Sequence, residues 1–235
     1  MVSNDVLALA PGGTCDALLL TPKARLIAPL RIFRRADDDF LLVTEPGLGE
    51  TVRGHLLRAR FAARVELEPE AHTVTIVLGP DPHGLRAPAG EYGDGAWEVV
   101  DGSPSGDAIS AHELDRLRIE ARGPAWGREL DDRVMPAEAG LVERAVSLTK
   151  GCYPGQEPIA RLHYRGHANR SLRVLELATA EPPPYDAEIH HGEKAVGRVT
   201  SAVSDGDAVL ALGYVRTDVP DDAELRVGEA SARLR

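Results

Sequence analysis

Residues 150–157 read Lys150-Gly151-Cys152-Tyr153-Pro154-Gly155-Gln156-Glu157. The stretch sets a cysteine between a lysine and the expected start of a helix, in a chain with only two cysteines and three lysines. The other 24 basic residues are arginines, so a lysine here points to a site that wants a compact, strongly hydrated ammonium. A free thiol, with a pKa near about 8.5, is mostly protonated at neutral pH. Lys150, a helix N-terminus and the cations Arg161 and Arg165 each favour the thiolate where the fold brings them close. Gly151 and Gly155 permit close backbone approach and positive φ, as a loop wrapped around a ligand requires. Gln156 and Glu157 stand at the first helical turn, where their side chains can contact a heterocycle. The same residues also fit a plain glycine-rich turn around an inert cysteine.

Outward from this stretch, the composition is that of a globular protein whose core rests on Leu, Val, Ile and Ala, since aromatics make up only 4% of the 235 residues. A net charge of -10 argues against a general nucleic-acid footprint and against docking on anionic membranes. No apolar run approaches the roughly 20 residues that span a bilayer. Met1 to Asp5 lack a secretory pattern, and Cys15 and Cys152 make no disulfide framework. A cytoplasmic protein is expected.

The N-terminal region alternates strand-like and helix-like segments. Strands are predicted at Ala17–Leu20, Arg25–Arg34 and Phe40–Val43, with Asp37-Asp38-Asp39 as a solvated hairpin loop rather than a metal site. Helical spacing of Val52, Leu56, Leu57 and Phe61 predicts a helix over Gly49–Ala63. Alternation predicts strands at Val65–Glu68 and Thr73–Leu78, followed by a Gly/Pro-rich loop (79–95) and a strand at Trp97–Val100. Ser110 and Glu113 form a capping box for a helix running to about Ala121, stopped by Gly123-Pro124. A short helix is expected at Ile159–Leu162. Beyond Ser171, evenly spaced short strands (Leu172–Leu177, Lys194–Val203, Val209–Val215, Glu224–Val227) predict a small antiparallel barrel, with His190-His191 in a surface turn. The expected domains are 1–168 and 169–235, with the boundary near Gly166–Arg170.

Residues 161–170 hold three arginines, two histidines and no acid. This patch is too short for extensive nucleic-acid contact and better suits a small polycarboxylate. It also reads as a solvated linker. His163 and His167 lack a third ligand, so no metal site is expected. No Walker loop, GxGxxG fingerprint, CxxC pair or nucleophile elbow is present.

The octapeptide with Ile159-Ala160-Arg161 resembles the K-G-C-[FY]-x-G-Q-E signature of the YgfZ proteins, folate-binding relatives of the glycine-cleavage aminomethyltransferase (T-protein). Similar to family elements are also Arg118-Ile119-Glu120, Gly127-Arg128-Glu129-Leu130, Met135–Leu141, Ser3-Asn4-Asp5-Val6 and Leu20–Arg25. The resemblance implies an α+β fold, a T-protein-like ring of three subdomains: ferredoxin-like α/β parts, intertwined over 1–168, plus the C-terminal barrel. It implies tetrahydrofolate or another folate derivative as cofactor, no metal, and Glu120 at the pterin, where a carboxylate accepts two parallel hydrogen bonds from a guanidine-like edge. Tyr153, Gln156, Glu157, Arg161 and Arg165 complete the expected folate-binding set, the arginines facing the anionic glutamate tail. Cys152 is then the redox or adduct-forming group and Lys150 its electrostatic partner.

The implied function is a folate-binding accessory protein supporting iron–sulfur enzymes, including tRNA-modifying ones. Its partners are folate and iron–sulfur client proteins, with no direct nucleic acid and no membrane. Two alternatives stand beside it: a tetrahydrofolate-dependent one-carbon transferase, and an inert ring scaffold that binds a protein partner. Where the T-protein keeps a catalytic aspartate in a [VI]-D-D strand, this chain reads Leu26-Ile27-Ala28-Pro29-Leu30, which speaks against aminomethyl transfer. Ala24 and Arg122 replace family glycines. Family members also extend before the N-D-V element, which implies an edge strand lacking here or a start upstream of Met1.

Overall fold

The computed structural model describes residues 1–235 except Ala62 and Pro104. Strands β1 (Thr14–Leu20), β2 (Leu26–Arg34) and β3 (Phe40–Thr44) form an antiparallel sheet in that order. Helix α1 (Gly49–Ala59) buries Val52 against Ala17, Leu19, Ala28, Leu30 and Ile32 of this sheet. A second sheet has the order β4 (Val74–Leu78), β6 (Ala96–Val100), β5 (Leu85–Pro88). Helices α2 (Ala111–Glu120), α3 (Val142–Ala145) and α4 (Gln156–Arg165) lead into the barrel. It closes in the order β10-β7-β12-β11-β8-β9, from β7 (Arg170–Leu177), β8 (Glu188–His191), β9 (Lys194–Asp205), β10 (Ala208–Arg216), β11 (Leu225–Val227) and β12 (Ala230–Leu234). The expected α+β architecture with a small C-terminal antiparallel barrel is the one observed.

Strand β10 explains how the barrel joins the rest. Val209, Ala211 and Val215 point into the barrel core, while Leu210, Leu212 and Tyr214 join a larger cluster outside it. A strand buried on both faces reads as an unbroken apolar run, which Val209–Val215 does. The outer cluster includes Leu18 and Leu26 of the first sheet, Ile119 of α2, Leu141, Tyr153 and Ile159. The barrel and the N-terminal region therefore share one core.

Two ionic networks stitch the parts together. Arg31 of β2, 7% exposed, binds Asp16 on β1 at 2.9 Å, Glu98 on β6 at 2.8 Å and Glu91 at 3.1 Å, tying the two sheets. Arg118 on α2 meets the wholly buried Glu129 at 3.1 Å, and Ser201 of β9 bridges them, accepting from Arg118 at 3.0 Å and donating to Glu129 at 2.7 Å. Tyr214 of β10 donates to the Glu129 carbonyl at 2.9 Å.

Several expectations are corrected. Val65–Glu68 is not a strand: alternation gives it two faces, but a strand also needs a ladder partner, and Val65 is 46% exposed. The first helix ends at Ala59 instead of Ala63, and Ala62 of the predicted last turn lies outside the described residues. His190-His191 lies in β8, paired with β9 and β11, and the turn begins one residue later at Gly192. Helix α4 extends to Arg165, past the expected Leu162.

Removing one partner from a buried ion pair strands the other charge without water, at a cost of about 3–5 kcal/mol. Glu129→Ala is expected to lower unfolding stability by that order in urea denaturation. A loss below about 1 kcal/mol would mean the pair does not hold the barrel to α2.

Candidate functional site: a cavity at the end of α2

Helix α2 starts as the sequence predicts, with Ser110 Oγ accepting from the Glu113 amide at 3.1 Å. Its other end builds the site. The Arg122 amide donates to the Ile119 carbonyl at 3.0 Å and the Gly123 amide to Arg118 at 2.8 Å, the paired closure of a Schellman motif. That closure puts Arg122 at φ 58°, a left-handed conformation that favours glycine. Next to it, a Cβ on Gly123 would meet the Glu91 carbonyl oxygen at 2.1 Å, so only glycine lets the helix end approach residues 90–92.

Between these elements lies a cavity of about 600 Å³. Glu120, Arg122 and Gly123 line it from α2, Leu141 and Arg144 from around α3, and Ile159, Leu162 and His163 from α4. The Glu120 side chain is 45% exposed and pairs with Arg116 at 3.0 Å and Arg235 at 3.9 Å. Arg144 reaches Glu91 at 3.3 Å and Asp16 at 3.6 Å, which joins the cavity wall to the Arg31 network. Burial pushes the neighbouring Glu98 and Glu45 carboxyls above their ordinary range.

Of the predicted folate-contacting residues, Glu120 lines the cavity, while Tyr153, Gln156, Glu157, Arg161 and Arg165 are not among its lining. Helical spacing separates them: Ile159, Leu162 and His163 share the cavity face of α4, and Arg161 and Arg165 stand off it. Exposed Arg161 pairs with exposed Glu157 at 2.9 Å. Arg170, from the same basic run, is held by Glu138 at 3.0 Å over the Tyr214 ring. Tyr153 packs in the shared core, 7% exposed, and its buried hydroxyl finds no hydrogen-bond partner among the described residues. Sequence reading missed Arg144, His163 and Glu91 as cavity residues. Glu91 sits in the Gly/Pro-rich loop, where no periodicity signals its direction.

The octapeptide is a structural joint as well as a reactive loop. Gly155 has φ 84° and opens α4, and a Cβ there would meet the Thr21 carbonyl oxygen at 2.8 Å and Ala24 Cα at 2.9 Å. Ala24, fully buried at φ 56°, completes that turn in a glycine-like conformation. The Lys150 ammonium donates to the Val2 and Asn4 carbonyls at 2.9 and 2.8 Å and lies 5.7 Å from the Tyr153 ring centre. Its titratable neighbours are Asp5 and the Cys15 thiol, and desolvation holds its pKa below the usual lysine value. Cys152 is exposed; Cys15 is half-buried, and burial beside Asp16 pushes its thiol up to about 11.

No protein-family model matches the chain. An aminomethyltransferase T of the glycine cleavage system, from Bartonella henselae, superposes with a TM-score of 0.80 over 98% of this chain and 76% of its own, at 18% identity. In fold, the chain is aminomethyltransferase-like. In sequence it is similar to the tRNA-modifying protein YgfZ of Serratia proteamaculans, 38% identical over 50% of this chain and 38% of that protein. That match spans little more than a third of the relative's length. An uncharacterized protein of Haemophilus influenzae is 24% identical over 96% of this chain and 84% of its own length. The resemblance to the YgfZ family, related to the T-protein, is borne out.

A thiol with pKa near 11 is about one part in a thousand thiolate at pH 8, so an alkylating reagent at that pH is expected to label Cys152 first. Peptide mass mapping over time reads the order. Equal rates at both cysteines would contradict the assigned burial and charge.

Proposed function

We propose that the chain is a folate-binding, YgfZ-like accessory protein whose ligand occupies the cavity at the end of α2. The observation that carries this reading is the Glu120 carboxylate on the wall of a cavity of about 600 Å³, inside an aminomethyltransferase fold. That volume falls in the ordinary range for small-molecule sites. The lining also fits the group: Pro124, Leu141, Ile159 and Leu162 offer apolar surface to a heterocycle, and Glu120 can accept hydrogen bonds from its amino-pyrimidine edge. A bound tetrahydrofolate supplies nitrogens that carry one-carbon units. Glu120 binds and orients it, with Arg116 and Arg235 holding the carboxylate in place.

Support of iron–sulfur enzymes, including tRNA-modifying ones, is the cellular role the family resemblance favours, in the cytoplasm and with client proteins as partners. No described helix is long and apolar enough to cross a membrane. Cys152 is the more exposed of the two thiols, and it is the group assigned to any redox or adduct chemistry. Lys150 serves this site indirectly, by anchoring residues 2–4 beside the loop. The transferase alternative meets a physical obstacle in β2, where Ala28 is wholly buried and Pro29 follows it, so neither position offers an acid.

Calorimetric titration with tetrahydrofolate is expected to show saturable binding that weakens about tenfold or more in Glu120→Gln, which removes the charge and keeps the shape. Absence of binding at millimolar ligand would sink the reading. In a strain lacking the protein, Cys152→Ser is expected to restore iron–sulfur enzyme activity only in part. Full restoration would remove the thiol from the proposal.

A further inference from the structure

The proposed ligand carries an anionic tail, and the cavity restricts which cation can meet it. Arg161 and Arg165 do not line the cavity. Three lining side chains can carry positive charge: Arg122, Arg144 and His163. Arg144 is already engaged by Asp16 and Glu91. Arg122 makes no ion pair or side-chain hydrogen bond among the described residues, although the chain carries a net charge of -10.

The backbone adds a second, independent observation. Arg122 occupies the helix-ending position at φ 58°, where glycine is the low-strain residue and a long side chain costs local stability. Stability alone does not place an arginine there; strain held at the rim of a cavity points to use of the side chain. The carboxylates that share the lining leave it available. Glu120 is held by Arg116 and Arg235, and Glu91 by Arg31 and Arg144. Glu143 is the remaining acid of the wall, and it lies exposed on α3.

We propose that Arg122 is the anion anchor of this cavity: its guanidinium binds the carboxylates of the ligand's tail, while Glu120, two residues earlier, takes the amino-substituted ring edge. This assignment rests on the folate reading and deepens it, because it gives the ligand a direction. A planar guanidinium binds a carboxylate through two parallel hydrogen bonds, so the anchor discriminates by tail charge and leaves ring recognition unchanged.

The test is Arg122→Gly, a substitution to the residue that the backbone conformation favours, so the variant folds with an unchanged or raised melting temperature. Calorimetry compares tetrahydrofolate with a reduced pterin lacking the benzoylglutamate tail. Arg122→Gly is expected to weaken tetrahydrofolate binding about tenfold and to leave the tailless pterin within about twofold of wild type. The double variant Arg161→Ala/Arg165→Ala is expected to bind both as wild type does. Tetrahydrofolate binding undiminished in Arg122→Gly, or diminished only in the double variant, overturns the anchor and leaves the folate reading standing. Equal weakening of both ligands in Arg122→Gly also overturns it, by showing a general loss of the cavity. Failure of the wild-type chain to bind either ligand overturns the folate reading and the anchor with it.

Discussion

Arg118 and Glu129 keep a full ion pair where water does not reach, and the cavity is built outward from it. Such a pair survives burial only when every remaining donor and acceptor is satisfied. Here Arg118 also donates to Asp115 at 3.1 Å and to the Gly123 carbonyl at 2.8 Å, and Glu129 accepts from the Ala125 amide at 3.0 Å. Ser201 brings in the barrel. The bond to Gly123 fixes the turn after α2, and with it Glu120 and Arg122 at the cavity. Shape and charge of the site thus depend on one buried pair that touches no ligand.

Much of this arrangement was legible in the sequence. The barrel was readable because its strands are short, apolar and punctuated by turn residues, and the capping box marked the start of α2. Other parts were not. Strand β5 lies in a stretch rich in Gly and Pro, and β12 alternates small and charged residues too weakly to stand out. Helix α3 is a single turn, too short to show a period. Val65–Glu68 had the alternation of a strand but gained no partner, which pattern alone never supplies.

The site was readable in part, for a related reason. Glu120 was marked out only by the family resemblance of Arg118-Ile119-Glu120, yet direction on a helix face decides contact, and Arg161 and Arg165 stand off the cavity face of α4. The octapeptide, which looked like a single chemical unit, divides by geometry. Gly155 is there for close approach to the Thr21–Ala24 turn, Lys150 for the N-terminal carbonyls and Tyr153 for the core, while the Cys152 thiol lies exposed. Ala24 and Arg122 hold a left-handed backbone that favours glycine. Ala24 does so wholly buried, and Arg122 does so at the cavity rim.

The proposed folate site is the cavity between α2, α3 and α4. Hydrogen–deuterium exchange with and without tetrahydrofolate tests it most directly. Slowed exchange is expected at 119–124, 139–144 and 159–163, with the barrel strands unchanged. Protection confined to the barrel face around Arg198 and Arg216, or no protection at saturating ligand, would contradict it.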